Sequence, residues 1–248
     1  MSQHPLTDDQ VNEYYREGYL LLPGLVPTES IDALLEDAPK SFEPGSVWKP
    51  EIFDHDNPTE KASIHRLLVD ENIIDVVEQL MDAPARVYYG MLAVVPAKGG
   101  KGLPWHQDGM YAPIMGRALN SFVACCDITP DMANLWVAPR THYFGVIPSQ
   151  DAGGEHGGHR TLSKDQEPEN GFCLPPLKKG DVCVFDRNTL HRSKTNDTDI
   201  DRYAYAAQYC EKKARHAKDE GRLDEKRMLA RELAEQYKSI LTPASVGA

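Results

Sequence analysis

The stretch Arg202-Tyr203-Ala204-Tyr205-Ala206-Ala207-Gln208-Tyr209 alternates as a β-strand does when its two faces meet different surroundings. Successive side chains of a strand point to opposite sides of the sheet. Small residues next to an arginine leave room for a bound acid, which a guanidinium holds through two parallel hydrogen bonds. The alternative is a surface arginine in a salt bridge. The first face carries Arg202, Ala204, Ala206 and Gln208, and the second carries Tyr203, Tyr205 and Tyr209.

Upstream of this strand, short apolar or alternating runs are separated by glycine and proline. They cover residues 87–95, 121–128, 135–138 and 181–185. Short strands punctuated in this way predict an antiparallel barrel or sandwich. We therefore expect a mainly β protein.

Helices are predicted at the amino-terminal end of the chain. Thr7-Asp8-Asp9-Gln10 has the pattern of a capping box and predicts a helix that ends near Gly18. A short strand over residues 19–22 follows, then a second helix that begins within residues 27–30 and a third over residues 73–81.

Two segments lack any periodic pattern and are predicted as loops. Residues 41–60 are rich in proline and acidic residues, and residues 151–171 are polar and rich in glycine. The second segment interrupts the β region, and we expect it to form a mobile loop or lid over a site.

The end of the chain is strongly charged. Residues 211–238 contain nine lysines or arginines and seven aspartates or glutamates. An apolar stripe at four-residue steps predicts a helix over residues 211–241 that packs on the barrel or on a second subunit, so a homodimer is one possibility. We predict one domain, residues 1–248, made of a barrel with amino-terminal helices over about 6–210 and this charged helix. The stripe consists of Leu229, Leu233, Tyr237 and Leu241.

Composition excludes several classes of protein. The chain has 248 residues, 41% hydrophobic and 26% charged, which is typical of a globular domain. Its net charge of −11 argues against nucleic-acid and anionic-membrane partners, which require clustered lysine and arginine. No apolar run is long enough for a membrane helix, and no secretory signal is visible, so we expect a cytoplasmic protein. Five cysteines without a C-x-x-C motif indicate neither a disulfide framework nor structural zinc.

A candidate metal site is formed by His106, Asp108 and His191. In an extended segment residues i and i+2 point the same way, so His106 and Asp108 can face one point. His191 follows the run at residues 181–185. Two imidazoles and one carboxylate on one face of iron leave three positions open, enough for a chelating co-substrate and dioxygen. A single His-x-Asp pattern is weak evidence, and the flanking sequence, including Arg202 11 residues after His191, decides the interpretation.

Several motifs together resemble the phytanoyl-CoA dioxygenase family of Fe(II)/2-oxoglutarate oxygenases. They are Pro104-Trp105-His106-Gln107-Asp108-Gly109-Met110-Tyr111, Leu135-Trp136-Val137-Ala138-Pro139-Arg140-Thr141-His142, and Gly180-Asp181-Val182-Cys183-Val184-Phe185 followed by His191-Arg192-Ser193 and Arg202. Their order and spacing match the family, and the resemblance covers roughly residues 6–210.

The resemblance implies a double-stranded β-helix, the jelly roll of cupin-like proteins, flanked by helices. It implies His106, Asp108 and His191 as ligands of Fe(II). Arg202 with Ser193 is implied to bind the distal carboxylate of 2-oxoglutarate, with dioxygen as the third reactant. By the same analogy Met91 and Gln107 lie near the co-substrate.

Substrate contacts are less well indicated. Tyr111 follows the implied iron carboxylate and is either a pocket wall or core packing. Arg140 stands where the family commonly has glycine, and it either brings a cation towards the pocket or caps a turn. Arg117 and Arg187 pair with an acidic substrate or lie on the surface.

The resemblance implies a dioxygenase that hydroxylates an unactivated C–H bond of a small-molecule metabolite and releases succinate and CO2. Desaturation, epoxidation or ring closure would use the same residues. Two alternatives from other classes are a cupin-like metal enzyme without 2-oxoglutarate and a catalytically silent binding protein. Arg202 and Ser193 favour the co-substrate over the first, and the complete triad argues against the second. We expect a small polar or amphipathic substrate.

Overall fold

The computed structural model describes residues 6–216 and 227–241, within which four α-helices flank the sheets. Further single turns of 3-10 helix occur at Arg66–Val69, Asp108–Met110, Thr141–Phe144, Gly154–His156 and Lys164–Gln166. The α-helices are α1 Asp8–Glu17, α2 Thr28–Asp37, α3 Glu71–Met81 and α4 Ala230–Leu241.

The same residue ranges contain fifteen strands, and most of the two-residue strands form small pairs outside the two larger sheets. They are β1 Tyr19–Leu22, β2 Lys49–Ile52, β3 Ala85–Val95, β4 Gly100–Lys101, β5 Ile114–Met115, β6 Ala118–Ala124, β7 Leu135–Ala138, β8 Gln150–Asp151, β9 Arg160–Thr161, β10 Phe172–Cys173, β11 Val182–Asp186, β12 Leu190–Ser193, β13 Thr195–Asn196, β14 Arg202–Glu211 and β15 Arg215–His216.

Two antiparallel sheets form the body of the molecule. The larger has the order β1-β11-β6-β14-β3-β2, and the smaller has the order β10-β7-β12. Phe122 and Phe185 of the larger sheet share one buried cluster with Leu135 and Val137 of the smaller, so the two sheets pack face to face. The other face of the larger sheet packs against the helices in a second cluster.

Strand β14 lies inside the larger sheet and separates these two environments. Tyr205 and Tyr209 are fully buried on the helix side. Ala204 packs between the sheets, where Arg202 and Gln208 also line a cavity. The alternation in the sequence therefore predicted both faces of this strand correctly.

The predicted start of α1 is found in the structure, whereas α3 begins at Glu71, two residues before the predicted start at residue 73. Thr7 caps α1 with both hydrogen bonds of the capping box, and Gly18 ends it in the left-handed conformation at φ 83°. Asp70 caps α3 by accepting from the N–H groups of Asn72 and Ile73.

Two predicted loops contain strands that the sequence pattern does not show. Strand β2 lies within residues 41–60 and pairs with β3 at the edge of the larger sheet. Its sequence, Lys-Pro-Glu-Ile, does not alternate, because an edge strand exposed to solvent needs no buried face. Within residues 151–171 the backbone forms the small hairpin of β8 and β9 and two single turns of 3-10 helix.

The charged tail is only partly helical. Residues 211–216 complete β14, turn, and form β15, so the predicted helix is wrong there, and residues 217–226 lie outside the described ranges. The helix begins at Ala230 and buries Leu233 and Tyr237 in the core that it shares with α3 and the larger sheet. The apolar stripe thus packs on its own barrel. None of the described helices has the length and apolar character that crossing a membrane requires, and all five cysteines are free.

Candidate active site

The three predicted metal ligands are brought together by the backbone of two segments. His106 lies in the segment between β4 and β5, and His191 lies on β12. Each of the two residues donates its N–H to the carbonyl oxygen of the other at 3.0 Å. Asp108 starts a single turn of 3-10 helix directly after His106. One ligand atom from each of the three residues lies within 4.8 Å of the other two.

Both imidazoles are oriented by carbonyl groups behind them. Nδ1 of His106 lies 2.7 Å from the carbonyl oxygen of Pro104, and Nδ1 of His191 lies 2.9 Å from that of Thr189. A carbonyl only accepts, so each Nδ1 carries a proton, and in the neutral form of the ring the lone pair then lies on Nε2. Nε2 of His191 is 4.0 Å from Oδ1 of Asp108. The free donor atoms therefore face one another.

The electrostatics of the triad suit a divalent cation. All three residues are buried. Burial, reinforced by His191, lowers the pKa of His106 to about 3, so this imidazole is neutral at pH 7, the form that binds a metal. Two neutral imidazoles and one carboxylate are the donor set of non-haem Fe(II) oxygenases. The residues present fit that ion.

Asn120 on β6 fixes the carboxylate and was not predicted. Its Nδ2 donates to Oδ2 of Asp108 at 3.1 Å, and both side chains are buried. This bond leaves Oδ1, the oxygen nearer His191, free for a metal. Asn120 precedes the apolar run at residues 121–128, so the sequence pattern gave no sign of its inward position.

A cavity of about 370 Å³ opens in front of the triad. Four of the predicted residues line it together with the metal ligands: Arg202, Ser193, Met91 and Tyr111. Phe122, Leu135 and Phe185 supply apolar wall. The sequence thus predicted residues that lie up to 111 positions apart and yet share one cavity.

Arg202 is a buried cation without an acidic partner among the described residues. Its side chain is 3% exposed, its Nε has no hydrogen-bond partner there, and its guanidinium carbon lies 5.6 Å from the ring centroid of Phe122. Burial lowers the pKa of Arg202 to about 10. An unpaired buried charge is costly, and a carboxylate entering the cavity would remove that cost. Arg202 therefore fits the anchor of a dicarboxylate.

Ser193 lies on the same wall. Its Oγ accepts from the N–H of Leu103 at 3.2 Å. A methyl group on Gly102 would lie 2.0 Å from that Oγ, so the chain needs glycine at residue 102 to keep the serine in place.

Gln107 and Arg140 are not brought to the cavity. The Gln107 side chain is fully buried and bonds backbone groups of three loop residues, donating to Gly145 and Asn188 and accepting from Ile147. It therefore holds the loops behind the triad together.

Arg140 lies in an exposed turn at φ 66°, where its guanidinium binds both carboxylate oxygens of Glu17 at 3.0 and 2.8 Å. This ion pair lowers the pKa of Glu17 to about 2. Arg140 is therefore not included in the proposed substrate contacts, because its guanidinium is paired with Glu17 at the surface.

Residues 150–161, called the rim segment below, reach the cavity through one residue. His159 lines the cavity, and its ring packs edge-on to Trp48 with centroids 5.4 Å apart. The Tyr111 hydroxyl accepts from the N–H of Arg160 at 3.1 Å, and Lys101 forms an ion pair with Glu155. The structure places this part of the predicted lid beside the site, and its opening and closing stay a prediction.

Three further arginines, Arg187, Arg192 and Arg227, line the cavity. Arg187 is buried and so does not lie on the surface, and its pairing with an acidic substrate stays a prediction. Arg117 does not line the cavity and donates to the carbonyl of Met81. Arg227 was not predicted, because it lies outside the apolar stripe of the helix predicted over residues 211–241. No periodic signal distinguishes it from its neighbours.

The family model of phytanoyl-CoA dioxygenase (PhyH) matches residues 14–204. Ectoine dioxygenase of Bordetella parapertussis is 27% identical over 224 residues, covering 77% of this chain and 71% of that protein.

Solved structures show the same fold at low identity. EctD from S. alaskensis with 2-oxoglutarate and 5-hydroxyectoine is 21% identical, with a TM-score of 0.66 over 89% of this chain and 82% of that one. The epimerase SnoN in complex with Fe3+, alpha ketoglutarate and nogalamycin RO is also 21% identical, with a TM-score of 0.65 over 84% and 85%. These likenesses confirm the predicted double-stranded β-helix with flanking helices.

Proposed function

Because this chain belongs to the phytanoyl-CoA dioxygenase family of Fe(II)/2-oxoglutarate-dependent dioxygenases, we propose that His106, Asp108 and His191 bind its iron and that Arg202 anchors its 2-oxoglutarate. The enzyme hydroxylates an unactivated C–H bond of a small molecule and releases succinate and CO2. The buried guanidinium of Arg202, which has no acidic partner among residues 6–216 and 227–241 and lies in the same cavity as the triad, is the observation that carries the residue assignment.

The three side chains of the triad are held in place before a metal binds. His106 and His191 are held by the carbonyls of Pro104 and Thr189, and Asp108 is held by Asn120, so the donors need not reorganise when a metal binds. Three ligands on one side leave the cavity side open. Bound there, iron and 2-oxoglutarate together supply the activation of dioxygen.

Arg202 and Ser193 fix the other end of the co-substrate. A bidentate guanidinium sets the direction of a carboxylate as well as its distance. The aromatic and aliphatic walls at Phe122, Leu135 and Phe185 exclude water around it, which protects a reactive intermediate and strengthens the Arg202 contact. The part of the 370 Å³ cavity that 2-oxoglutarate would leave unfilled favours a small substrate. The relatives named ectoine dioxygenase make ectoine the first compound to assay.

The assignment is tested without knowing the substrate. Metal-free protein receives Fe(II) and then 2-oxoglutarate under argon, and the visible charge-transfer band of the chelate is followed. We expect a saturable band in the wild type. In Arg202→Ala we expect weaker 2-oxoglutarate binding by about 2–5 kcal/mol, which corresponds to roughly 30-fold or more in Kd. Fe(II) affinity should not change.

The matched control is Arg16→Gln, which removes an exposed guanidinium paired with Glu17. It should behave as the wild type. Equal 2-oxoglutarate affinity in Arg202→Ala and the wild type would refute the anchor. Iron binding without any band would refute the co-substrate site. Loss of iron binding in Asp108→Ala but not in Arg16→Gln would support the triad as the ligand set.

A further inference from the structure

The charge lining the cavity has the opposite sign to the charge of the whole chain. The protein carries a net charge of −11, yet the described lining contains four arginines and one carboxylate, Asp108. A cavity with one sign of charge concentrates ligands of the other sign. The arginines are Arg187, Arg192, Arg202 and Arg227.

One of these arginines has partners in the structure, and another is assigned to the co-substrate. Arg192 stacks on Trp105 and Trp136, at 4.7 and 4.8 Å from the ring centroids, and Glu167 lies 4.0 Å from its Nη1. Arg202 is proposed above as the anchor of 2-oxoglutarate. On that proposal the charges of the dication, Asp108, the co-substrate dianion and Arg202 sum to zero.

Arg187 and Arg227 then remain as two uncompensated positive charges. Their guanidinium carbons lie 4.4 and 4.3 Å from the centroid of the same ring, that of Tyr88. The two carbons are therefore at most 8.7 Å apart, the sum of these two distances. Neither arginine forms an ion pair with a carboxylate in the ranges that the structure describes. Two like charges this close in a partly enclosed site repel each other until an anion lies between or beside them.

The two arginines differ in how many N–H groups they have to spare. Arg187 donates to the side-chain oxygen of Gln208 and to the carbonyls of Asp108 and Ala112, at 3.0, 3.1 and 3.2 Å, so it braces the turn that carries the metal carboxylate.

Arg227 donates through Nη1 to the carbonyl of Tyr88, next to His55. The Nε of each of the two arginines is buried without a hydrogen-bond partner among the described residues. Both terminal nitrogens of Arg187 donate, whereas Nη2 of Arg227 forms no hydrogen bond in that part of the chain. Arg227 therefore keeps a terminal nitrogen free for a ligand, and Arg187 contributes mainly charge.

We infer that Arg227, with Arg187 against the same tyrosine ring, binds an anionic group of the substrate, so that the enzyme acts on a small carboxylate rather than on a neutral molecule. The inference rests on the proposed function, since the count of charges assumes 2-oxoglutarate at Arg202. Arg227 lies outside residues 14–204, the part that the family model matches. It is thus a specificity-determining residue that belongs to the tail of this chain and not to the shared motifs.

The test uses the full chain loaded with Fe(II) and saturating 2-oxoglutarate under argon. Benzoate and benzamide, which have nearly the same size and shape but differ in charge, are titrated separately. Calorimetry gives each Kd, and the visible band reports whether 2-oxoglutarate stays bound. We expect the wild type to bind benzoate at least about tenfold more tightly than benzamide.

In Arg227→Gln we expect this preference to disappear while benzamide binding and the half-saturation point of 2-oxoglutarate stay within about twofold of the wild type. Arg227→Lys keeps the positive charge but loses the planar guanidinium that can form two parallel hydrogen bonds. It should therefore retain part of the preference for benzoate over benzamide. Arg16→Gln again serves as the control. Thermal melting curves of all variants show whether α4 still packs against the core.

Three results would overturn the inference: benzoate binding no tighter than benzamide, a preference that survives in Arg227→Gln, or loss of the visible band on addition of benzoate, which would place benzoate at Arg202. Failure of the proposed function looks different. In that case the wild type forms no band with 2-oxoglutarate before either probe is added.

Discussion

At the scale of single residues, the two oxygens of the Asp108 carboxylate have different neighbours. Oδ2 accepts from Asn120, and Oδ1 faces His191 across 4.0 Å. A carboxylate held in this way can offer one oxygen to a metal in a fixed direction. Sequence reasoning predicted Asp108 because its spacing from His106 is a local pattern. It did not predict Asn120, whose contact depends on how β6 lies beside the 3-10 turn.

We expect Asn120→Ala to weaken Fe(II) binding by about 10- to 100-fold, since a second-sphere partner that orients a ligand has effects of that size. The measurement is competition with a chelator of known affinity. Asn134→Ala is the matched control, because Asn134 is also buried but bonds the carbonyls of Leu174 and Pro175 and does not line the cavity. Unchanged iron affinity in Asn120→Ala, or an equal loss in both variants, would contradict the positioning role.

At the scale of elements, α4 connects the carboxyl-terminal end of the chain to the core. Leu233 and Tyr237 are buried there, and the Tyr237 hydroxyl donates to the carbonyl of Pro58 at 2.8 Å. The four-residue periodicity predicted this helix and its apolar stripe. It did not predict where the helix begins, because the charged residues before Ala230 fit a helix as well as they fit the strand and turn observed at residues 211–216.

Truncating the stripe tests whether α4 is part of the folding unit. Leu233→Ala should lower the free energy of unfolding by about 2–5 kcal/mol, as expected for a fully buried leucine. Urea unfolding followed by circular dichroism measures it. Glu235→Ala changes an exposed residue of the same helix and should stay within about 0.5 kcal/mol of the wild type. A stable Leu233→Ala protein would mean that α4 docks without contributing to the core.

At the scale of the whole molecule, strongly patterned elements were predictable and long-range pairings were not. The alternation of β14 and the capping box of α1 are local, so the sequence predicted them. Strand β2, with its Lys-Pro-Glu-Ile sequence, is a strand only because β3 presents a free edge to it. Arg227 reaches the cavity for a similar reason, since the docking of α4 brings the preceding residues to Tyr88.

Global stability should depend on pH through His65, far along the chain from the triad. His65 is buried, its Nδ1 is hydrogen-bonded to the Tyr205 hydroxyl at 2.8 Å, and burial lowers its pKa to about 4. The unfolded chain takes up this proton near pH 6.5 and the folded chain only near pH 4. Stability is therefore complete above about pH 6.5 and is lost as the pH falls towards 4, by about 3 kcal/mol in total.

Urea midpoints of metal-free protein at pH 7 and pH 4.5 measure this loss. His65→Gln keeps a partner for Tyr205 but does not titrate, so its midpoint should fall less over the same interval. The remaining acid-sensitive groups, including His106, are common to both proteins and cancel in the comparison. Parallel pH dependence in the two would show that His65 is not responsible.

The position of the tryptophans gives the molecule an optical property. Its three tryptophans all lie around the cavity: Trp48 packs against His159 of the rim segment, Trp105 accepts at its carbonyl from the Thr161 hydroxyl, and Trp105 and Trp136 both stack on Arg192. Indole emission depends on the polarity and the quenching groups close to the ring, and here each indole lines the cavity or contacts a residue that does. Tryptophan fluorescence excited selectively at the red edge of the absorption band therefore comes from this region, and a change in its intensity or wavelength reports events at the cavity without any added dye.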